Sequence, residues 1–221
     1  MVERRLWEAD AVGSNPIAPM SITHTTMKIF LDTADYNAIA ERAATGLVDG
    51  ITTNPTLVRK SGVDYKEFIK TLVSDFAFES ISAEVDGEDA GQMIANAEEY
   101  IPLGSNVTIK LTLTKEGLIA CRHLSHQKIT TNVTLCFSAA QAVMAAKAGA
   151  TYISPFVGRM NDNSFSGVEL VRAISGLYCA QGAQTKVLAA SLRDVHHVSR
   201  CLMYGAHVVT LPPAVFDKMY N

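Results

Sequence analysis

From Met27 onward, short apolar runs alternate with longer stretches in which apolar residues recur at helical spacing. Short runs rich in apolar and β-branched residues predict strands, and apolar residues at i, i+3 and i+4 predict amphipathic helices. The runs predict eight strands: Lys28–Asp32, Gly50–Asn54, Ile81–Val85, Val107–Thr112, Ile129–Thr134, Tyr152–Phe156, Lys186–Ser191 and His207–Leu211. Helical stretches lie between them, and several end in the glycine that commonly follows a helix C-terminus. The pattern therefore predicts repeated βα units.

Repeated βα units require a parallel sheet with right-handed crossovers, and eight of them are enough to close a barrel. We therefore predict one α/β domain over residues 27–221, a single (β/α)8 TIM barrel with a short C-terminal helix. An open doubly wound sheet is the alternative. It would place a glycine-rich turn after the first strand, and the segment FLDTAD contains no glycine.

Alternate residues of a barrel strand face the helices and the lumen, so strand parity predicts which side chains lie inside. In the fourth strand Val107, Ile109 and Leu111 form the apolar set, which leaves Thr108 and Lys110 pointing inward. Inward positions near the C-terminal ends of the other strands are mostly polar. They are Asp32, Thr52, Asn54, Glu84, Asn132, Thr134, Ser154, Phe156 and Ser191. Barrel enzymes carry their chemistry at this rim, so these residues form a candidate active site.

Composition and charge narrow the classes of protein. The chain of 221 residues is 48% hydrophobic and 19% charged, which is typical of a packed globule. Its net charge is −3, so it does not provide the positive electrostatic field that nucleic-acid binding uses. No apolar run approaches the roughly 20 residues that span a bilayer, and the N-terminus lacks the apolar stretch of a signal peptide. We expect a cytoplasmic protein with neither nucleic acid nor membrane as a partner.

Cysteine and histidine spacing gives no sign of a metal or cofactor. The four cysteines are widely separated and include no CxxC pair, which favours reduced thiols. Neither His123 with His126 nor His196 with His197 has a carboxylate at metal-ligand spacing. No cofactor motif is present, so we predict chemistry that uses the protein's own side chains.

Residues 1–26 lack strand or helix periodicity and contain Pro16 and Pro19. The tetrapeptide GSNP at 13–16 is what the T-arm of a tRNA gene encodes when it is translated. We interpret the segment either as translated tRNA-gene sequence ahead of a true start at Met27, or as an ordinary flexible tail.

A lysine inside a barrel has a chemical consequence. Desolvation disfavours the ammonium form and lowers the pKa, so Lys110 is a candidate nucleophile toward a ketone, forming an iminium that promotes cleavage of the adjacent C–C bond. Glu84 and Asp32 supply two carboxylates for proton transfer, and the hydroxyl of Thr134 is placed to hold a water. The alternative is structural: a snorkelling lysine, with Glu84 merely neutralising it.

A phosphate site is predicted after the seventh strand, where barrels often bind phosphate. Ser191 would lie with the phosphate at the N-terminus of the next helix, and Arg193 and Arg159 would pair with the negative charge of the phosphate. In the alternative interpretation Ser191 is simply the N-cap of that helix. Similarly, Asn54-Pro55 is in isolation more typical of a turn than of a binding site.

Seven segments in order along the chain resemble the small transaldolase family, which includes the fructose-6-phosphate aldolases. They are FLDTAD, GITTNPTLV, AEV, IKLTLTKEG, NVTLCFSAAQA, SPFVGRM and AASLRD. The resemblance implies a class I aldolase barrel without cofactor or metal, acting on sugar phosphates in the pentose phosphate pathway.

The resemblance also implies a role for each matching residue. Lys110 would be the Schiff-base lysine, Asp32 the base for the C4 hydroxyl, and Glu84 the acid/base acting through a water held by Thr134. The remaining residues would bind substrate. Asn54, Asn132 and Ser154 would hold the dihydroxyacetone hydroxyls beside Thr52, and Arg159, Ser191 and Arg193 would bind the phosphate.

Within this family, two positions resemble the transaldolases. The aldolases have glutamine in place of Glu84 and tyrosine in place of Phe156. We therefore expect transfer of a dihydroxyacetone unit from fructose 6-phosphate or sedoheptulose 7-phosphate to an aldose phosphate, the alternative being an aldolase that releases dihydroxyacetone. Relatives usually carry proline at Thr112, and they have a further helix beyond PPAVFDKMYN. We expect a homo-oligomer, although a ring-like assembly depends on that helix.

Two other classes of barrel remain possible. A phosphate-binding isomerase would use a carboxylate base without an iminium, and a binding protein would keep Ser191 and Arg193 but not need Lys110, Glu84 and Asp32 together.

Overall fold

The computed structural model describes residues 27–60 and 62–220. The eight strands run parallel and close into a barrel in chain order, which confirms the predicted fold. Their bounds are β1 Lys28–Asp32, β2 Gly50–Thr52, β3 Ser80–Glu84, β4 Val107–Thr112, β5 Thr131–Cys136, β6 Tyr152–Pro155, β7 Lys186–Ala189 and β8 Val208–Leu211. The predicted N-terminal extension over residues 1–26 lies outside the described residues.

Helices surround the barrel, and two of them follow each of β2 and β6. The α-helices are α1 Tyr36–Ala43, α2 Pro55–Lys60, α3 Tyr65–Asp75, α4 Ala90–Ala97, α5 Lys115–His126, α6 Ala139–Lys147, α7 Val157–Asp162, α8 Gly167–Gln181, α9 Val195–Met203 and α10 Pro213–Asp217. Short 3₁₀ turns cover Ile101–Leu103 and Lys218–Tyr220. Within the described part of the chain, no helix is both long and apolar enough to cross a membrane.

Side-chain capping marks where most of these helices begin. Asp35, Asp64, Thr114 and Ser138 each accept a backbone N–H of the first turn of the helix that follows. A short polar side chain at this position satisfies one of the donors that a helix N-terminus leaves free, at about 1 kcal/mol each. Three of these caps, Asp35, Thr114 and Ser138, thus fix where the helices after β1, β4 and β5 begin.

Strand parity follows the sequence prediction in the main core. The helix-facing residues Ile81, Ala83, Ile109 and Leu111 are fully buried in the large cluster between barrel and helices. The lumen is apolar on one side, where Phe30, Tyr152, Leu188 and Val208 pack together. It is polar on the other, where Ser80 and Thr108 hydrogen-bond at 2.7 Å and Ser82 is buried beside them.

Gly50 allows the ring of Phe30 to cross the lumen. A Cβ at Gly50 would lie 2.8 Å from that ring and 2.6 Å from the carbonyl oxygen of Ser80. Both distances are too short for a side chain, and the second neighbour is backbone that cannot move aside. The lumen below the site is thereby filled.

Several strand ends differ from the sequence prediction. Strands β2, β6 and β7 end one or two residues early, because Pro55 and Val157 already start helices and Ser191 adopts a left-handed φ of 59°. Strand β3 lies one residue earlier than predicted, and β8 begins one residue later.

Strand β5 shows the largest difference, because it lies two residues later than predicted and contains a bulge. Leu135 has a φ of 63°, and the register on β6 moves from Val133 opposite Ile153 to Cys136 opposite Pro155. Between these two pairs the chain advances three residues along β5 but only two along β6, so β5 contains one extra residue, as in a β-bulge. The bulge lies at the rim, directly after Thr134.

Candidate active site

The barrel register places Lys110 between two polar neighbours. It pairs with Glu84 on β3 and with Asn132 on β5. Lys110 is only 8% exposed. Its Nζ lies 2.9 Å from Glu84 Oε2 and donates to the carbonyl oxygen of Thr53 at 3.3 Å. An amine this buried is held in place by one carboxylate and one carbonyl.

Asp32 lies across the lumen at the end of β1. Burial raises the pKa of the Asp32 carboxyl and nearby Glu84 raises it further, while the Lys110 charge and a hydrogen bond from Thr52 oppose the shift. The net result is a pKa above the ordinary value. Thr52 Oγ1 lies 3.1 Å from Asp32 Oδ1 and 2.6 Å from Thr210 Oγ1. A carboxylate in this environment takes up a proton more readily than an exposed aspartate.

Buried polar atoms without partners lie beside the lysine on β5. Ser154 donates to Asn132 Oδ1 at 2.7 Å, which fixes the amide orientation, and Asn132 Nδ2 has no hydrogen-bond partner among the described residues. The same holds for Thr134 Oγ1, whose residue is 2% exposed. Native proteins rarely leave buried polar groups unsatisfied, so this side of the site is shaped for a polar ligand or water.

Phe156, Arg159 and Ser191 form the wall on the side of β6 and β7. The Arg159 guanidinium carbon lies 5.1 Å from the centre of the Phe156 ring. The rings of Phe156 and Phe137 form a T-shaped pair with 6.0 Å between their centres. Phe156 forms a β-bridge with Ala190, which holds the two loops together. The wall therefore presents an aromatic ring, a guanidinium and a hydroxyl to the cavity.

Gly158 lets the loop after β7 approach α7 closely. Its N–H donates to the carbonyl oxygen of Ser191 at 3.0 Å, and a Cβ there would lie 2.9 Å from Ser191 Oγ and 2.8 Å from Arg193 Nε. The hydroxyl and the guanidinium edge thus flank the same small space.

Arg193 is not among the residues that line the cavity, and its predicted role in phosphate binding stays a prediction. Its Nη1 and Nη2 donate to the two carboxylate oxygens of Asp162, the second at 2.6 Å, and the Arg193 side chain is 55% exposed. The N-cap interpretation of Ser191 is also wrong, because Asp194 caps α9 by accepting the N–H of His197 at 2.8 Å. A carboxylate thus occupies the helix end that was predicted to face phosphate.

A cavity of about 550 Å³ opens at this rim. Every predicted site residue except Arg193 lines it. The lining comprises Asp32, Thr52, Asn54, Pro55, Thr56, Glu84, Asp86, Lys110, Asn132, Thr134, Leu135, Ser154, Phe156, Arg159, Ala190, Ser191 and Thr210. The volume is that of a small-molecule pocket. Nowhere in the described ranges do three or more His, Cys, Asp or Glu side chains cluster as metal ligands.

Some functional neighbours were missed from the sequence. Thr210 faces the lumen with the same parity as Val208, so applying parity to the last strand would have found it. Leu135 enters the cavity only through the bulge, for which no sequence signal was evident. Tyr65 on α3 accepts the backbone N–H of Glu84 at 2.8 Å, a long-range contact that no local pattern encodes.

The chain is similar in sequence to known proteins of one family. A family model described as "Transaldolase/Fructose-6-phosphate aldolase" matches residues 29–221. A probable transaldolase of Caulobacter vibrioides is 50% identical over 195 residues, covering 88% of this chain and 89% of that protein. Probable transaldolases of Paracoccus denitrificans and Methanococcus vannielii are 50% and 49% identical over 195 residues, covering 88% of this chain and 89% and 90% of their own.

One solved structure shows the fold at low sequence identity. A mandelate oxidase mutant with a monooxide FMN adduct superposes with a TM-score of 0.60 at 14% identity, covering 86% of this chain and 65% of that one. At this identity the likeness concerns the barrel alone.

Proposed function

Because the chain belongs to the transaldolase/fructose-6-phosphate aldolase family, we propose that it transfers a dihydroxyacetone unit between sugar phosphates through a Schiff base on Lys110. The donor is a ketose phosphate, fructose 6-phosphate or sedoheptulose 7-phosphate, and the acceptor is an aldose phosphate. One observation carries the proposal: a buried lysine lies against a carboxylate, 2.9 Å from Nζ, at the floor of an open cavity.

The first step forms the covalent bond. Glu84 Oε2 is close enough to Nζ to accept a proton from the ammonium, which frees the nitrogen lone pair. The amine adds to the C2 carbonyl of the ketose, and loss of the C2 oxygen as water gives the iminium. Glu84 returns the proton to that leaving oxygen, directly or through a water beside Thr134 Oγ1, which is buried and has no partner among the described residues.

The second step breaks the carbon chain. Asp32 takes the proton of the C4 hydroxyl, the C3–C4 bond breaks, and its electron pair moves into the iminium to give an enamine. The raised pKa of the Asp32 carboxyl favours this proton uptake. The departing aldose phosphate is replaced by the acceptor, and the enamine carbon attacks its aldehyde by the reverse sequence.

The three-carbon unit needs partners for its hydroxyls. Asn132 Nδ2 is a buried donor held in direction by Ser154, and Asn54 lines the cavity on the opposite side, beside Thr52. Because Asn132 Nδ2 has no partner among the described residues, it favours a ligand that offers a hydroxyl oxygen to it. Ser191 and Arg159 on the outer wall would face the phosphate end.

Phe156 favours transfer over release. Freeing dihydroxyacetone requires protonation of the enamine carbon and hydrolysis of the iminium, and a phenyl ring donates no proton. The enamine therefore persists until an aldehyde arrives. On this proposal the protein acts in the pentose phosphate pathway of the cytoplasm, and the predicted homo-oligomer stays a prediction.

Acceptor dependence tests the proposed function. We expect fructose 6-phosphate alone to be cleaved slowly, and added erythrose 4-phosphate to give rapid formation of glyceraldehyde 3-phosphate and sedoheptulose 7-phosphate. The measurement is product formation in coupled assays with and without acceptor. Release of dihydroxyacetone without acceptor at the rate of transfer would replace transaldolase with the aldolase alternative.

The pH dependence of kcat tests the environment of Asp32. Because the Thr52 hydrogen bond lowers the pKa of the Asp32 carboxyl, Thr52→Val should raise that pKa and move the acid limb of the kcat profile to higher pH. Thr210→Val is the matched control, since it removes the other partner of Thr52 and leaves the Asp32 hydrogen bond in place. An acid limb that stays still, or moves to lower pH, in Thr52→Val would contradict the assignment of Asp32 as the base.

A further inference from the structure

Arg193 and Asp162 form an end-on ion pair at the outer edge of the site. Both terminal nitrogens of the guanidinium donate to the two carboxylate oxygens of Asp162, which is the last residue of α7. The pair is half exposed, with 55% and 48% of the two side chains accessible. Exposed pairs of this kind contribute little to folding stability. Its geometry suggests a different role.

The end-on contact leaves the other edge of the guanidinium unused. An arginine side chain has five N–H donors, and the edge formed by Nε and one terminal nitrogen can itself grip an oxyanion. Arg193 Nε and Ser191 Oγ lie within 2.8 and 2.9 Å of the space where Gly158 would carry a Cβ. Ser191 lines the cavity, so the Nε edge of Arg193 lies next to a cavity hydroxyl.

Asp162 also lies within the field of the second arginine. The hydrogen bond from Arg193 lowers the pKa of the Asp162 carboxyl, and the charges of Arg193 and Arg159 lower it further. The carboxylate is therefore ionised throughout the neutral range. Helix α7 carries both Arg159 and Asp162. It therefore positions Arg159 directly, and it positions Arg193 through the ion pair with Asp162, its last residue.

We propose that Asp162 is the positioning residue of the phosphate site, holding Arg193 end-on so that its Nε edge, beside Ser191, stays free to donate to the phosphate of the sugar. This inference rests on the proposed function. It explains how an arginine outside the cavity lining can still serve a ligand at the cavity edge. Asp162 itself does not touch the phosphate.

The expected size of the effect follows from side-chain ordering. Without Asp162, the arginine would lose its rotamer freedom only when phosphate binds, which weakens binding by about two- to tenfold. If Asp162 instead competed with phosphate for Arg193, removing the Asp162 charge would tighten phosphate binding. The direction of the change therefore decides between them.

The test uses the full chain with Asp162→Asn and Asp162→Ala. We expect two quantities to rise from wild type through Asp162→Asn to Asp162→Ala, by up to about tenfold. They are the KM for fructose 6-phosphate and the dissociation constant of inorganic phosphate, the latter measured by calorimetry. The kcat should stay near the wild-type value. Glu169→Gln is the matched control, because it neutralises the carboxylate of another exposed arginine pair, on α8 and outside the cavity lining.

Three results would overturn the inference: tighter phosphate binding in either Asp162 variant, unchanged phosphate binding in both, or an equal change in the Glu169→Gln control. The failure of the proposed function is recognised separately. A wild-type protein that transfers no dihydroxyacetone unit refutes that function, whereas the calorimetric titration with inorganic phosphate still tests Asp162.

Discussion

Lys110→Arg should abolish transfer while leaving the barrel folded. An arginine keeps a positive charge opposite Glu84, whose Oε2 lies 2.9 Å from Nζ, but its guanidinium stays protonated and forms no Schiff base. Loss of a covalent nucleophile removes most of the rate enhancement, so we expect kcat to fall by at least about a thousandfold. The measurement is transfer from fructose 6-phosphate to erythrose 4-phosphate.

A second variant distinguishes loss of the nucleophile from loss of folded protein. Lys110→Met has a similar length without charge, and it leaves Glu84 without its cation, so its melting temperature should fall. Lys110→Met combined with Glu84→Gln should recover stability without recovering activity. Lys115→Met, at the start of α5 and outside the cavity lining, is the matched control and should behave as wild type. Transfer by a folded Lys110→Arg protein within about tenfold of wild type would refute the nucleophile assignment.

Phe156→Tyr should convert part of the transfer into release of free dihydroxyacetone. The ring lines the cavity with the lysine, so an added hydroxyl would enter the site and could hold a water or donate a proton to the enamine carbon. General acid catalysis contributes about a hundredfold or more when well placed. Allowing for imperfect placement, we expect release without acceptor to rise by at least about tenfold, and more when Glu84→Gln is added.

The measurement for Phe156→Tyr is free dihydroxyacetone by coupled reduction, with and without erythrose 4-phosphate. Phe137→Tyr is the matched control, because Phe137 packs edge-on against Phe156 with 6.0 Å between ring centres and does not line the cavity. If both tyrosine variants raised release equally, the effect would come from loosened packing rather than from a hydroxyl in the site. No change in either would mean that Phe156 does not decide between transfer and release.

Strand parity predicted most of the site because the helix-facing side of a barrel strand must be apolar. Val107, Ile109 and Leu111 leave only one orientation for Lys110, and the ladder then places it opposite Glu84. The same rule placed Asn132 and Ser154 in the lumen, where they form a hydrogen bond. These residues lie inside regular strands, where the period of two holds.

Strand parity gives no guidance where the backbone leaves that period. Leu135 enters the cavity because a bulge adds a residue to β5, and a single sequence gives no clear sign of it. Arg193 lies beyond the end of β7, where parity no longer applies. Its partner Asp162 is 31 residues earlier, at the end of helix α7, and no spacing rule connects the two. Long-range polar contacts of this kind depend on the folded loops.

Covalent trapping at Lys110 tests the central claim most directly. Wild-type protein is incubated with fructose 6-phosphate, reduced with borohydride, digested and mapped by mass spectrometry, with Lys110→Arg and substrate-free samples treated in parallel. We predict a reduced ketose-derived adduct on the peptide that contains Lys110, appearing in proportion to the loss of activity. Complete inactivation with Lys110 unmodified, or an adduct on another lysine in its place, would contradict the Schiff-base account.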